Sequence, residues 1–129
     1  MTAPALEARD LCITYPPRQG RGPAHAVDGV NLAVGVGEIV ALIGESGCGK
    51  STLARAFVGL VRPTSGEVCY EGTTLGYSSK AVKRFRRYTQ LLLQDPGGAL
   101  NPKQNVFDAV AEGPRLHGLR AGLAERVET

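Results

Sequence analysis

Nine residues, Gly44-Glu45-Ser46-Gly47-Cys48-Gly49-Lys50-Ser51-Thr52, restrict this chain's fold more than any other segment. They match G-x-x-x-x-G-K-[ST], the phosphate-cradling P-loop pattern. That pattern needs a strand before it and a helix after it. Residues 38–43, Glu-Ile-Val-Ala-Leu-Ile, are a short apolar run that reads as a buried strand. Residues 52–60 carry Leu53, Ala56, Phe57 and Leu60 at helical spacing. The expected fold class is therefore α/β, with a P-loop core.

The residue types explain the chemistry. Gly44, Gly47 and Gly49 tolerate positive φ and place no Cβ between backbone and ligand. Successive N–H groups then converge into an anion nest, and the helix that follows adds its N-terminal partial charge. Lys50 is placed to reach β- and γ-phosphates, the Ser51 hydroxyl to ligate Mg²⁺, and Thr52 to donate to the α-phosphate. The competing reading is a glycine-rich turn that happens to precede a helix. Cys48 is either a tolerated small residue or a thiol whose pKa the helix N-terminus lowers. On the second reading a thiol alkylator blocks nucleotide binding and ATP protects. The loop alone says nucleoside triphosphate plus Mg²⁺, without distinguishing kinase, GTPase or transporter motor.

A length of 129 residues suggests one domain or part of one. No run approaches the roughly 18 apolar residues that span a bilayer. The first residues lack a basic segment followed by an apolar one, so secretion is not expected. Three widely spaced cysteines make neither a disulfide framework nor a zinc pattern. A reduced, cytoplasmic setting follows. Net charge is +3, with Lys80, Lys83, Arg84, Arg86 and Arg87 supplying much of the excess. That run reads as a solvated helix face in preference to a nucleic-acid surface, with Phe85 and Tyr88 pointing inward.

Residues 6–15 alternate as a strand, with Leu11 and Ile13 on one face and Cys12 and Thr14 on the other. Residues 16–23 read as a loop, residues 30–34 as a second strand, and residues 65–72 as turn, short strand and turn. Ser79 caps a basic helix to Arg87. Leu91-Leu92-Leu93 is a β-like run and residues 94–99 a loop. Asn105 caps a last helix to about Leu116, with Val106, Ala109, Val110 and Gly113 on one face. There is no internal repeat.

Three of these features together resemble the ATP-binding subunit of ABC transporters over essentially the whole chain. The loop has the form G-x-S-G-x-G-K-S-T. Tyr15 ends the first strand, where the family stacks an aromatic on adenine. Gln94 closes Leu91-Leu92-Leu93, 44 residues after Lys50, and matches the family's Q-loop glutamine. Residues 27–32 and 63–68 are similar to its connecting phrases. Gln94-Asp95-Pro96, Leu100-Asn101-Pro102 and residues 111–119 resemble the peptide- and nickel-importing branch.

The resemblance implies ATP and Mg²⁺ as ligands. It implies Tyr15, Gly44, Glu45, Ser46, Gly47, Cys48, Gly49, Lys50, Ser51 and Thr52 around the nucleotide. Ser51 and Gln94 would face Mg²⁺, with Lys50 and Gln94 acting in catalysis. His117 would be a helix-end residue without a ligand role. The fold implied is a P-loop core with an N-terminal antiparallel β subdomain, incomplete at its C-terminal side. Its parts would be residues 1–37 (β subdomain), 38–62 (P-loop strand and helix), 63–94 (segment leading to the Q-loop) and 95–129 (Q-loop and start of a helical subdomain).

Partners implied are a second ATP-binding subunit, membrane permease subunits and an external solute-binding protein, with no direct nucleic acid. The location implied is cytoplasmic, on the inner face of the cell membrane. The family pattern continues with a signature segment and a Walker B carboxylate that these residues do not contain. The expectation is a fragment or split domain that lacks its general base and is inactive alone. Ile39, Ala41 and Ile43 would then lie exposed on an unfinished sheet. Two alternatives stay open: a non-transport ATPase of the same superfamily in DNA repair or chromosome maintenance, and a nucleotide-binding module without catalysis.

Overall fold

The structure is a computed structural model that describes residues 3–18 and 20–128. Met1, Thr2, Gln19 and Thr129 lie outside the described residues. Gln19 falls within the loop expected at residues 16–23, whose other members form a turn and irregular backbone.

Four strands make one antiparallel sheet: β1 (Leu6–Tyr15), β2 (Ala24–Val34), β3 (Ser65–Tyr70) and β4 (Thr73–Thr74). Their spatial order is β2-β1-β3-β4, so β1 is held on both edges. Its alternation is as the sequence indicates: Leu11 and Ile13 are buried, while Cys12 and Thr14 are partly exposed. Helix α1 (Lys50–Phe57) packs Leu53, Ala56 and Phe57 into the same core as Ala8, Leu11, Ile13, Val27 and Val68. Burying Leu53 and Phe57 stabilises this docking by about 1.5–3 kcal/mol each.

The pairing of β1 is interrupted at Asp10, which takes a left-handed φ of 44°. A reciprocal side-chain pair holds it there. The Asp10 N–H donates to Asn31 Oδ1 at 2.9 Å, and Asn31 Nδ2 donates to Asp10 Oδ1 at 2.8 Å. Asp and Asn suit this place because short polar side chains can satisfy a backbone group locally. Gly66 lies against the bulge; a Cβ there would overlap the Asp10 carbonyl oxygen.

The chain divides into two compact units, one running to Leu91 and the other from Leu92. In the first, α2 (Ser79–Phe85) is capped by Ser78, whose Oγ accepts from the Ala81 N–H at 3.2 Å. The cap is thus one residue before the expected Ser79. Either of two adjacent serines can serve, and Ala81 lies at the third helical position from Ser78. Phe85 is buried as expected. Tyr88 is not: it is 63% exposed and stacks on Tyr70 with centroids 5.7 Å apart. Offset stacking covers one face of its ring and leaves the other to water.

In the second unit, α3 (Pro96–Ala99) replaces an expected loop, with Asp95 Oδ1 accepting from the Gly97 N–H at 3.0 Å. Helix α4 (Val106–Leu116) is capped by Asn105, whose Oδ1 accepts from the Asp108 N–H at 2.7 Å. Its expected apolar face is exposed at Val106 and Val110, and Ala111 is its buried residue. The packing partner α5 (Leu123–Glu128) has six residues, too short to cover that face. Asn105→Ala removes the cap, and the expected cost is about 1 kcal/mol. Amide hydrogen exchange at Asp108 and Ala109 should speed up roughly fivefold as a result.

Two expected strands do not form ladders. Residues 38–43 and 91–93 have no strand pairing among the described residues. Ile39 is 97% and Ile43 94% exposed, and Ala41 is exposed too. An apolar run becomes a buried strand only when other segments pair with its backbone and cover its faces. The expected exposure of Ile39, Ala41 and Ile43 therefore holds, whereas the buried P-loop strand does not. No helix among the described residues is long and apolar enough to cross a membrane.

Candidate functional site

The glycine loop sits at the N-terminus of α1. Gly49 is the helix N-cap with φ of 94°, and Gly47 has φ of 84°. Residues with a Cβ pay for those conformations, which explains glycine at both places. Gly49 has a second reason. A Cβ on it would overlap the Ala26 carbonyl oxygen of β2, so the loop is seated directly on the sheet backbone. The first helical hydrogen bond runs from the Leu53 N–H to the Gly49 carbonyl at 2.9 Å. Helix geometry leaves the N–H groups of Lys50, Ser51 and Thr52 without intrahelical acceptors at this end.

Lys50 closes the loop from within. Its Nζ donates to the Gly44 carbonyl at 2.7 Å and the Glu45 carbonyl at 2.5 Å. It also lies 3.3 Å from Cys48 Sγ. Gly44 is required by that arrangement, since a Cβ on it would stand 2.8 Å from Cys48 Sγ. The ammonium is thus held against two loop carbonyls and the Cys48 sulfur. The donors at this helix start suit a polyanion: first-turn N–H groups without intrahelical acceptors, one cation, and the hydroxyls of Ser51 and Thr52.

The hydrogen bond from Lys50 lowers the Cys48 thiol below its ordinary range. Cys48 is exposed, so it is accessible to reagents. The thiolate is the reacting form, and a lowered pKa brings it in at lower pH. Alkylation by iodoacetamide should therefore reach half its maximal rate at lower pH than for a free thiol. Lys50→Met should return that midpoint upward. A profile that does not move on this substitution would contradict the assignment.

Tyr15 ends β1 opposite Ala24 of β2, and its side chain is 39% exposed. Ala24 is two residues along β2 from Ala26, the seat of Gly49. One strand thereby carries both the aromatic position and the loop contact, about 7 Å apart along the backbone. The Ala26 contact has no signature in the sequence, because it joins backbone atoms of residues far apart in the chain. Glu45 and Ser46 are exposed. Gln94 belongs to the second unit, where it is exposed and precedes the Asp95 cap of α3. His117 is the C-cap of α4, as expected of a helix-end residue.

Residues 27–128 match the family model described as ABC transporter. The chain belongs to the ABC transporter family. Members of this family are ATPases that bind ATP, with Mg²⁺ in the general case. The chain is 41% identical over 117 residues to a putative oligopeptide transport ATP-binding protein, YkfD, of Bacillus subtilis. That match covers 90% of this chain and 35% of the relative. It is 50% identical over 84 residues to the nickel import ATP-binding protein NikE of Brucella abortus, covering 64% of this chain and 32% of NikE. The chain thus spans about a third of the length of these curated relatives. Among solved structures, the dimeric structure of a bacterial ABC transporter cassette superposes with a TM-score of 0.77 at 25% identity. It covers 95% of this chain and 53% of that one. The ABC protein cbiO1 of Clostridium perfringens gives a TM-score of 0.71 at 26% identity, over 98% of this chain and 47% of its own. The α/β architecture, with an antiparallel sheet beside the P-loop helix, is that of an ABC ATPase domain in part.

Proposed function

We propose that this chain forms the nucleotide-gripping part of an ATP-binding subunit that powers import of peptides or a related small solute or metal. One observation carries the reading. The Lys50 ammonium is fixed inside a glycine loop that is itself seated on β2 at the start of α1.

The residues take these roles. Backbone N–H groups of residues 44–52 cradle the phosphates, and Lys50 faces the β- and γ-phosphates. Thr52 donates to the α-phosphate, and Tyr15 offers a ring face to adenine, a contact worth about 1–3 kcal/mol in comparable stacking. Ser51 and Gln94 would be the residues to hold Mg²⁺, which when bound would neutralise charge on the phosphates. Among the described residues no three His, Cys, Asp or Glu side chains cluster as a metal cage. The remaining oxygens around a magnesium ion would then come from phosphate and water, its usual arrangement. Gln94 also orients the attacking water. Residues 1–37, 38–62, 63–94 and 95–129 act as β subdomain, P-loop strand and helix, Q-loop approach, and Q-loop with the opening of a helical subdomain.

Turnover would further need the family's signature segment and a Walker B carboxylate as general base. The working assembly would include a second ATP-binding subunit, permease subunits and an external solute-binding protein, at the inner face of the membrane. The importer reading is favoured over other ABC ATPases by the relatives' descriptions as oligopeptide and nickel import proteins.

The test has two measurements. Binding of a fluorescent ATP analogue is titrated with Mg²⁺, and phosphate release is followed with and without the C-terminal two-thirds of an oligopeptide-importer relative added as a separate polypeptide. Binding alone, with release restored by the added polypeptide, is the expected result. Binding without release in either case would favour a non-catalytic module, and no binding at all would end the proposal.

A further inference from the structure

We infer that the exposed face of α2 and the groove beside it form a docking surface for an acidic peptide segment of a partner protein. Lys80, Lys83, Arg84 and Arg87 lie at i, i+3, i+4 and i+7, the spacing that collects side chains on one side of a helix. The Arg87 N–H donates to the Arg84 carbonyl at 3.2 Å, which continues the helical turn past Phe85. All four side chains are exposed. The ion pairs among the described residues are made by Arg9 and Arg115, and none by these four. Neighbouring Arg86 differs, since it donates to the Gly59 carbonyl at 3.0 Å and is bound into the fold. Four cations that form no ion pair among the described residues repel one another on one short face.

Beside them lies a groove of about 630 Å³ between α2 and the β3–β4 turn. Lys80 and Arg84 line its helix side, and the stacked rings of Tyr70 and Tyr88 line another. Leu75 and Phe85 form an apolar base, both buried. Glu71 is the one carboxylate in the lining. A recess with an apolar floor and cationic rim fits an acidic segment that carries an aromatic or aliphatic side chain between its carboxylates.

The shape argues against two other polyanions. A bilayer is gripped by apolar side chains that project into it, and here the aliphatic and phenyl groups of Leu75 and Phe85 are buried. Single-stranded nucleic acid needs spaced rings for successive bases, and Tyr70 and Tyr88 are stacked on each other. This inference is independent of the ATP-binding reading, because it uses none of the loop residues.

The experiment is fluorescence anisotropy of the 129-residue chain with a fluorescein-labelled peptide of glutamates around one central phenylalanine. The expected result is saturable binding that weakens with salt and falls about tenfold in Lys80→Glu/Arg84→Glu, the scale of two exposed charge pairs. A control of equal net charge, Lys103→Glu/Arg120→Glu, changes it by less than twofold. Tyr88→Ala weakens it without altering its salt dependence. Circular dichroism of each variant confirms that the fold is kept. Equal losses in the two charge-reversed proteins would mean general attraction and would overturn the site. Binding to phosphatidylserine vesicles or to an oligothymidine strand in place of the peptide would overturn it too, as would no binding of any probe.

Discussion

Lys50→Ala should lower affinity for ATP by roughly 100-fold, because a charge-assisted contact to phosphate contributes about 1.5–3 kcal/mol and 1.4 kcal/mol is tenfold. The same substitution should leave thermal stability nearly unchanged. The carbonyls that Lys50 holds, those of Gly44 and Glu45, belong to exposed residues, so water replaces the ammonium at little cost. Isothermal titration with ATP and Mg²⁺, paired with a melting curve, separates the two effects. An affinity within threefold of the unaltered chain would remove Lys50 from the proposed site. A large fall in melting temperature would instead give it a structural role.

Gly49→Ala should be more damaging to the fold than any other single change in the loop. Two costs combine. A left-handed φ costs a residue with a Cβ about 1 kcal/mol. The new Cβ would also collide with the Ala26 carbonyl, which belongs to β2 and cannot move without disturbing its pairing with β1. A total of about 3 kcal/mol is expected, at the scale of strain in an over-determined site. Gly47→Ala is the comparison. Its φ is also positive, at 84°, but a Cβ there meets nothing within 4 Å. It should cost only the first amount. Urea denaturation of both variants reads the difference directly. Equal midpoints would show that the seat on Ala26 is unimportant.

What could be read from the sequence follows a physical division. Strand β1, the spacing of Leu53, Ala56 and Phe57, and the Asn105 cap depend on alternation, periodicity and a hydrogen bond three residues away. Those are local properties, and the residues themselves state them. Residues 38–43 and 91–93 show the converse. Their composition is that of buried strands, yet ladder bonds need partners elsewhere, and none pairs with them among the described residues. Helix α3 was hidden by Gly97 and Gly98, which read as loop until Asp95 is seen to cap them. Tyr88, in the turn after α2, was misplaced because its one covering ring comes from Tyr70 at the end of β3. In the candidate site, the positive-φ glycines and the place of Lys50 at the start of α1 were legible from their pattern. The close approach of Gly49 to Ala26 was not, since no motif records which backbone lies beneath a glycine.

The hairpin of β1 and β2 carries one consequence beyond stability. Tyr15 is paired opposite Ala24, and two residues further on Ala26 bears the loop through Gly49. If a purine rests on Tyr15, the base and the phosphates would be carried by one hairpin, and the distance between them would be set by the pairing of β1 with β2.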